Sequence, residues 1–355
     1  MNLGIILGIG ESLNQMDKFG QKDRFINNYL RKYAKHFDKI YLFSYENETC
    51  SLPKNITIIS KKSSLHRYLY ALLIAIINRK QINDCDILRG FGLTSAVPAL
   101  LTQKPFIFNL PYDYNKFLKI EKKYYFIPLF YILEKIAFLR ANIILVATKH
   151  KFKTLKEKKF IYLPNGVDLR TYFKKDNTSK GIVFVGRLER QKNLFFLIDA
   201  VSKLPKHLRS VTFIGTGSLE TDLRNHATKK NVTLTIIHPV ENTKLPILLR
   251  KYAIFALPSM AEGSPKVLLE AMAIGLVPVV TNFSTAKEII KDNMSGFITN
   301  YDVNAYSRRM EILIKNPNLC KKMSQFAVES IASKFNLEKL ILKEINILKT
   351  QMATS

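Results

Sequence analysis

The sequence predicts an α/β protein built as two doubly wound, Rossmann-like parallel-sheet domains. Three observations carry this. Short apolar runs rich in branched residues alternate with helical patterns along most of the chain. The series halts at the turn Pro164-Asn165-Gly166-Val167-Asp168 and then restarts. Runs in both halves, such as 86–90 and 181–185, close on or just before a glycine, as strands do when they turn into helices. Strands of this composition, each followed by a helix, read as parallel sheets covered on both faces.

In the first half the strand-like runs are Leu3–Leu7, Lys39–Ser44, Ile56–Ile59, Asp86–Gly90, Phe106–Asn109, Asn142–Ala147 and Phe160–Leu163. Helical patterns cover Gln21–Phe37, Leu65–Asn78, Ser95–Leu101 and stretches between Tyr114 and Arg140. In the second half the runs are Gly181–Val185, Val211–Ile214, Val232–Ile237, Ile254–Leu257 and Val277–Val280, with only helix expected after Asn300. The expected domains are residues 1–165 and 166–335, with a C-terminal helix over 336–355 returning toward the first. Ligands of doubly wound sheets sit at the carboxyl ends of the strands, so two facing domains imply one interdomain cleft.

A chain of 355 residues, 47% of them hydrophobic, has ample apolar material for two cores. No run of about 18 apolar residues is free of charge, so no transmembrane helix is expected. The apolar start, with no basic residues before it, reads as a first strand and not as a signal peptide. Cys50, Cys85 and Cys320 are odd in number and far apart, which suits a reducing cytoplasm. The net charge of +27 is spread over both halves and would attract anions: nucleotide phosphates, anionic lipid or nucleic acid. A lysine-rich composition without any selected partner is the plain alternative.

The segment Pro258–Gly275 holds the most chemistry. It follows a strand, and Ser264 as N-cap with Pro265 in the first turn would start a helix that Gly275 stops. The N–H groups at that helix start, around Gly263, Ser264, Pro265, Lys266 and Val267, suit a diphosphate or sugar oxygens. Glu262 precedes the helix, and Glu270 lies inside it, about 7–8 Å along the axis from its start. Two carboxylates bracketing a ring of amides match a nucleotide sugar, with hydroxyls at both ends and phosphates between. The plain alternative is a dipole partner and a solvated charge. In the segment Gly181–Asn193, Arg187, Arg190 and Lys192 gather before a helix start, where the macrodipole disfavours cations and an anion would relieve them. Arg187 could fork onto phosphate oxygens and Lys192 add a point charge. Three exposed basic residues on a basic protein would look the same.

Gly186-Arg187 with Lys192, then Glu262 and Glu270 within Glu-Gly-Ser-Pro-Lys-Val-Leu-Leu-Glu-Ala-Met-Ala-x-Gly, resembles glycosyltransferase family 4. Asn165-Gly166-Val167-Asp168 is similar to that family's domain junction. The resemblance is strong over 160–300 and loose before it. It implies the GT-B fold and a retaining, metal-independent hexosyltransferase with no cofactor, the nucleotide sugar being a substrate. Arg187, Lys192 and Glu262 would be catalytic: the two cations on the donor diphosphate, the carboxylate on the sugar hydroxyls. Glu270 would hold the ribose, Gly186 and the 263–267 segment would complete the donor site, and Gly215 and Val240 would border the base. The donor would be a UDP-, GDP- or ADP-sugar. The acceptor would be a glycan or a lipid-linked chain in cell-surface polysaccharide or glycolipid synthesis.

The N-terminal half departs from the family pattern. Where many relatives place a histidine, this chain reads Phe108-Asn109-Leu110-Pro111-Tyr112-Asp113, which puts the donor-sugar contacts in question. Asn109, Asp113 and Gly10, in the Gly8-Ile9-Gly10 loop, are the expected acceptor-side residues. Asp84-Cys85-Asp86 spells a metal-transferase motif but sits at a strand start without supporting ligands, so no metal is expected. Leu65–Asn78, and Lys116, Lys119, Lys122, Lys123, Tyr124 and Tyr125, mix basic and aromatic residues. They suggest a surface resting on anionic lipid, peripheral to the inner face of the cell membrane, though ordinary sheet-packing helices read equally well. A nucleotide-sugar epimerase, a phosphorylase and a non-catalytic basic membrane- or nucleic-acid-binding protein stand as alternatives. No nucleic-acid motif supports the last, and nucleic acid is not an expected partner.

Overall fold

The computed structural model describes residues 1–355 except 19, 112, 150, 151, 153–158, 174–180, 354 and 355. The chain forms two compact units. The first comprises Met1–Asn115, Tyr124–Pro164 and Glu338–Ser355; the second comprises Lys116–Lys123 and Asn165–Leu337.

In the first unit, β1 (Asn2–Ile6), β2 (Lys39–Phe43), β3 (Ile56–Ile59), β4 (Ile87–Gly90), β5 (Phe106–Leu110), β6 (Ile143–Val146) and β7 (Phe160–Tyr162) form one sheet. Its order is β3-β2-β1-β4-β5-β6-β7, with every pairing parallel. The central strands are buried on both faces, which is why they read as unbroken apolar runs and not as alternating ones. The helix expected over 21–37 runs from Lys22 to Tyr33 and contains a widened π turn at Ile26–Leu30.

In the second unit, β8 (Gly181–Val185), β9 (Ser210–Ile214), β10 (Thr233–Ile237), β11 (Tyr252–Leu257), β12 (Val277–Thr281) and β13 (Phe297–Thr299) take the order β10-β9-β8-β11-β12-β13, again parallel throughout. Strand β13 was not expected. Its three residues are too short for a pattern, and only pairing with β12 makes them a strand. Phe184 and Phe213 meet edge to face, 5.6 Å between centroids, and register β8 against β9.

The long C-terminal helix, Leu337–Ala353, belongs almost wholly to the first unit. Arg89 on β4 donates through Nε to Glu344 Oε1 at 2.5 Å, with the two side chains 3% and 4% exposed. The guanidinium also donates to the Gly90 carbonyl and to Asn109 Oδ1, and it lies over the Phe91 ring. Within the second unit, Val167 N–H donates to Phe335 O and Val167 O accepts from Leu337 N–H, at 2.9 and 3.0 Å. Two of the four places where the chain passes from one unit to the other, after Pro164 and after Leu337, are thus joined within the second unit.

Breaking a buried ion pair leaves an uncompensated charge, which typically costs about 3–5 kcal/mol. Glu344→Ala is expected to lose that much in chemical denaturation, and Arg89→Met with Glu344→Leu to recover most of it. Equal losses in the single and double variants would contradict this account of the pair.

Candidate donor-binding site

The second sheet divides at its first strand. β9 lies on one side of β8 and β11 on the other, which makes the carboxyl ends of β8 and β11 a switch point, the place where doubly wound sheets bind ligands. The loops leaving these two strands, 186–193 and 258–265, hold the residues singled out above.

The β8 and β9 loops stay backbone to backbone beyond the sheet. Gly186 N–H donates to Ile214 O at 3.0 Å, and Leu188 N–H to Thr216 O at 2.9 Å. A Cβ on Gly215 would stand 2.0 Å from the Gly186 carbonyl oxygen, and one on Gly217 would stand 2.3 Å from that of Leu188. Gly215 is thus glycine because another backbone occupies the space its side chain would need. Glu189 completes this join by accepting from Ser218 N–H and Oγ at 3.0 and 2.8 Å.

A second join ties the β8 loop to the β11 loop through Gln191, a buried residue. Its carbonyl accepts from Met260 N–H at 2.9 Å, its side-chain amide donates to Ala261 O, and its N–H donates to Glu121 Oε1. The 259–262 segment is gripped from the other side as well. Ser259 O accepts from Thr281 Oγ1 (2.8 Å) and Tyr301 OH (2.9 Å), Met260 O from Tyr301 OH (3.1 Å), and Glu262 O from Thr285 Oγ1 (3.4 Å). Sequence reading assigned no role to Gln191, Thr281, Thr285 or Tyr301. A single polar residue has no spacing to betray a partner 20 to 70 positions away.

These clamps bring Lys192 and Glu262 together: Nζ to Oε1 is 2.5 Å, with the side chains 13% and 8% exposed. The two residues expected to hold different parts of a donor are paired with each other. Arg187 and Arg190 are exposed beside them in the chain.

The helix after the β11 loop spans Lys266–Ala273, and one expectation about its start is corrected. Ser264 does not cap it. Pro265 is extended (φ −69°, ψ 105°) and takes the cap position itself, its carbonyl accepting from Leu268 and Leu269 N–H. Ser264 is displaced one residue outward, where its Oγ and carbonyl accept from Asn165 N–H (3.3 Å) and Nδ2 (2.6 Å). Pro265, the cap residue, has no side-chain acceptor to offer the first N–H groups, and the positive end of such a helix suits an anion. Glu270, one turn in, is 4% exposed, which rules out a solvated surface charge. The stop at Gly275 is as expected: φ is +92°, with Gly275 N–H on Met272 O and Leu276 N–H on Ala271 O. Gly263, Lys266 and Val267 are half-buried along the same segment, and Val240, beyond the end of β10, packs on the core.

The first unit places its residues less decisively. Gly10 has φ +79° and abuts the Arg67 side chain. Just before it, Gly8 N–H donates to Glu11 Oε2 and Ile9 N–H to Thr94 Oγ1, each at 3.1 Å, so these two amides already have protein acceptors. Burial holds the Glu11 carboxyl above its usual pKa. Asn109 braces the turn after β4, its Oδ1 accepting from Gly92 N–H at 3.0 Å. Asp113 is exposed, and Tyr112 lies outside the described residues. Asp84 accepts from Tyr41 OH and Lys39 Nζ, and Asp86 from Asn2 N–H, so this pair braces the strand ends.

The family model for glycosyl transferases group 1 matches residues 168–330, the segment that contains both loops and the 266–273 helix. Residues 168–330 are thus similar to the glycosyl transferases of group 1. Over 156 residues the chain is 28% identical to a Campylobacter jejuni α-1,4-N-acetyl-D-galactosaminyltransferase whose acceptor is a GalNAc-bearing diNAcBac-PP-undecaprenol; 42% of each chain is covered. Over 204 residues it is 26% identical to an Escherichia coli UDP-Gal:α-D-GlcNAc-diphosphoundecaprenol α-1,3-galactosyltransferase, covering 52% of each. The chain thus spans about half the length of these curated relatives. Among solved structures, sucrose-phosphate synthase from Thermosynechococcus elongatus shares the GT-B fold over the full length of both chains, with TM-score 0.83 and 14% identity.

Overpacking a tight site typically costs about 1–3 kcal/mol, and a methyl against backbone has nowhere to yield. Gly215→Ala is therefore expected to destabilise the second unit by that amount in thermal or chemical unfolding. An unchanged midpoint would show that the β8–β9 loop contact is not needed.

Proposed function

We propose that the chain is a retaining, metal-independent glycosyltransferase. It moves a hexose-type sugar from a nucleotide diphosphate donor to a glycan or lipid-linked acceptor in cell-surface polysaccharide or glycolipid synthesis, at the cytoplasmic face of the membrane. The observation that carries this reading is the Lys192–Glu262 pair at the β8/β11 switch point, Glu262 lying in the loop that leads to the start of the Lys266–Ala273 helix. Among UDP, GDP and ADP donors, UDP is favoured by the E. coli relative, whose name gives UDP-Gal.

The chemistry follows from the pairing. A diphosphate entering the crevice offers Lys192 a stronger anionic partner than one carboxylate, and Arg187 can fork onto the same oxygens. Glu262, released, accepts from the sugar hydroxyls, while Glu270 accepts from the ribose. The acceptor oxygen attacks the anomeric carbon on the face from which the phosphate leaves, and the departing phosphate oxygen takes the acceptor proton. Negative charge grows on that phosphate as the bond breaks, where Lys192, Arg187 and the helix N–H groups stabilise it. Losing one such contact costs about 10²–10³ in kcat. No protein nucleophile, metal or resident cofactor is part of this scheme.

Thermal unfolding against UDP-, GDP- and ADP-sugars, with and without EDTA, tests the reading. Ligand at about 100 times its Kd should add about 2.7 kcal/mol of stability. The expected result is a shift with one nucleotide class that survives EDTA and disappears in Lys192→Ala and Glu270→Ala. Silence with every nucleotide, together with no sugar transfer in single-turnover assays on membrane extract, would overturn it.

A further inference from the structure

The first unit turns an apolar face outward. The helix Ile127–Arg140 is apolar nearly all round, its only charged residues being Glu134, Lys135 and Arg140. A helix of that kind is ordinarily buried on every side. Here Ala137 is buried, and Phe130, Leu133 and Phe138 pack on the core, yet Leu129, Ile132, Ile136 and Leu139 stand in solvent, Leu139 being 84% exposed. The spacing of three, four and three residues puts these four on one stripe. The helix Arg67–Ile77 repeats the arrangement: Tyr70, Ala71 and Ile74 face inward, while Leu69, Leu72 and Ile76 form an outward stripe with Tyr68 and Ile77 beside it.

The two stripes share one face of the unit. Both helices, with the short Ala96–Ala99 helix, cover the same apolar core. Arg140 fastens the 127–140 helix to the 99–104 segment, its guanidinium donating to the carbonyls of Ala99, Thr102 and Lys104 at 2.6–2.9 Å. Leu101, exposed, lies in that segment. Exposed apolar patches of this extent mark interaction surfaces.

Charge decides the occupant. Residues 61–82 contain Lys61, Lys62, Arg67, Arg79 and Lys80 and no acidic residue. On the 127–140 helix the exposed charge is Lys135, over the Tyr131 ring at 4.7 Å; on the other helix Arg67 lies over the Tyr68 ring at 5.3 Å. Apolar stripes edged by aromatic and basic residues fit the interface of an anionic bilayer, where rings sit at headgroup level and basic side chains reach phosphates. Among the described residues, no helix is long and apolar enough to cross a membrane. We propose that the outward faces of the 67–77 and 127–140 helices form a peripheral docking surface for anionic lipid. Lys116, Lys119, Lys122 and Lys123, joined to this role by the sequence, belong to the second unit. The inference deepens the proposed function by naming where the enzyme would meet a lipid-linked acceptor.

The test is sedimentation of the full chain with vesicles of phosphatidylcholine alone and of phosphatidylcholine with 30% phosphatidylglycerol (about 30%, enough to give an anionic surface). The expected result is binding to the anionic vesicles, weakened by salt, and at least tenfold weaker in the variant Leu72→Gln/Ile76→Gln/Ile132→Gln/Leu139→Gln. The nucleotide-induced thermal shift, retained in that variant, certifies its fold and keeps the two proposals separate. Failure of the shift in the unaltered protein would remove the donor reading and leave the vesicle result standing. Unchanged vesicle binding by the variant would overturn the surface. So would a concentration-dependent dimer, in sedimentation velocity, that the same substitutions abolish, since the occupant would then be a second copy.

Discussion

The second unit depends on a contact between backbones. Three loops leave the carboxyl ends of β9, β8 and β11, and the doubly wound order sends the outer two in opposite directions. Left to side chains alone, such loops would vary in position. Here Gly215 and Gly217 let the β9 loop lie against the β8 loop at a separation no other residue allows, and Gln191 joins the β8 loop to the β11 loop. The result is one rigid rim. Functional groups must be held to within fractions of an ångström to act together, and a rim fixed through its peptide groups meets that demand.

The Lys192–Glu262 pair is what this rim positions. Burying a charge without a partner is costly, so a site that needs both a cation and an anion in a half-closed crevice is best kept neutral until its ligand arrives. In this structure each residue serves as the other's partner. In the proposed function, a nucleotide sugar with phosphates for the lysine and hydroxyls for the glutamate would replace one buried contact by two. The exchange favours a ligand that carries both groups over one that carries either, which is a source of selectivity without any contact to the base.

The first unit rests on a different device, the buried Arg89–Glu344 pair that fixes the last helix beside β4. Its partners are 255 residues apart in the chain, and nothing in the sequence around either announces the other. The same separation explains the other omissions. Gln191 finds the β11 loop 70 residues on, and Asn165 finds Ser264 across 99. What could be read directly was local: the central strands from their unbroken apolar runs, the helix stop at Gly275, and the glycosyl transferases group 1 segment from its Glu–Gly–Ser–Pro string. The Ser264 cap was misread because Pro265, extended and lacking an N–H, could itself close the helix start. The three-residue β13 escaped because its strand character comes from a neighbour and not from its own residues. Acceptor-side geometry was the least legible part, since Asn109 and Gly10 answer to packing in the first unit as much as to any ligand.

The central claim is that donor binding trades the Lys192–Glu262 contact for separate contacts to phosphate and sugar. Calorimetric titration of the free nucleoside diphosphate and of its sugar conjugate into the unaltered protein, Lys192→Met and Glu262→Gln tests it most directly. Lys192→Met is expected to lose affinity for both ligands. Glu262→Gln should bind the free diphosphate at least as tightly as the unaltered protein, its lysine being released, while losing the added affinity that the sugar confers. If Glu262→Gln instead weakens the free diphosphate as much as Lys192→Met does, the pair acts as one structural unit and the exchange does not occur.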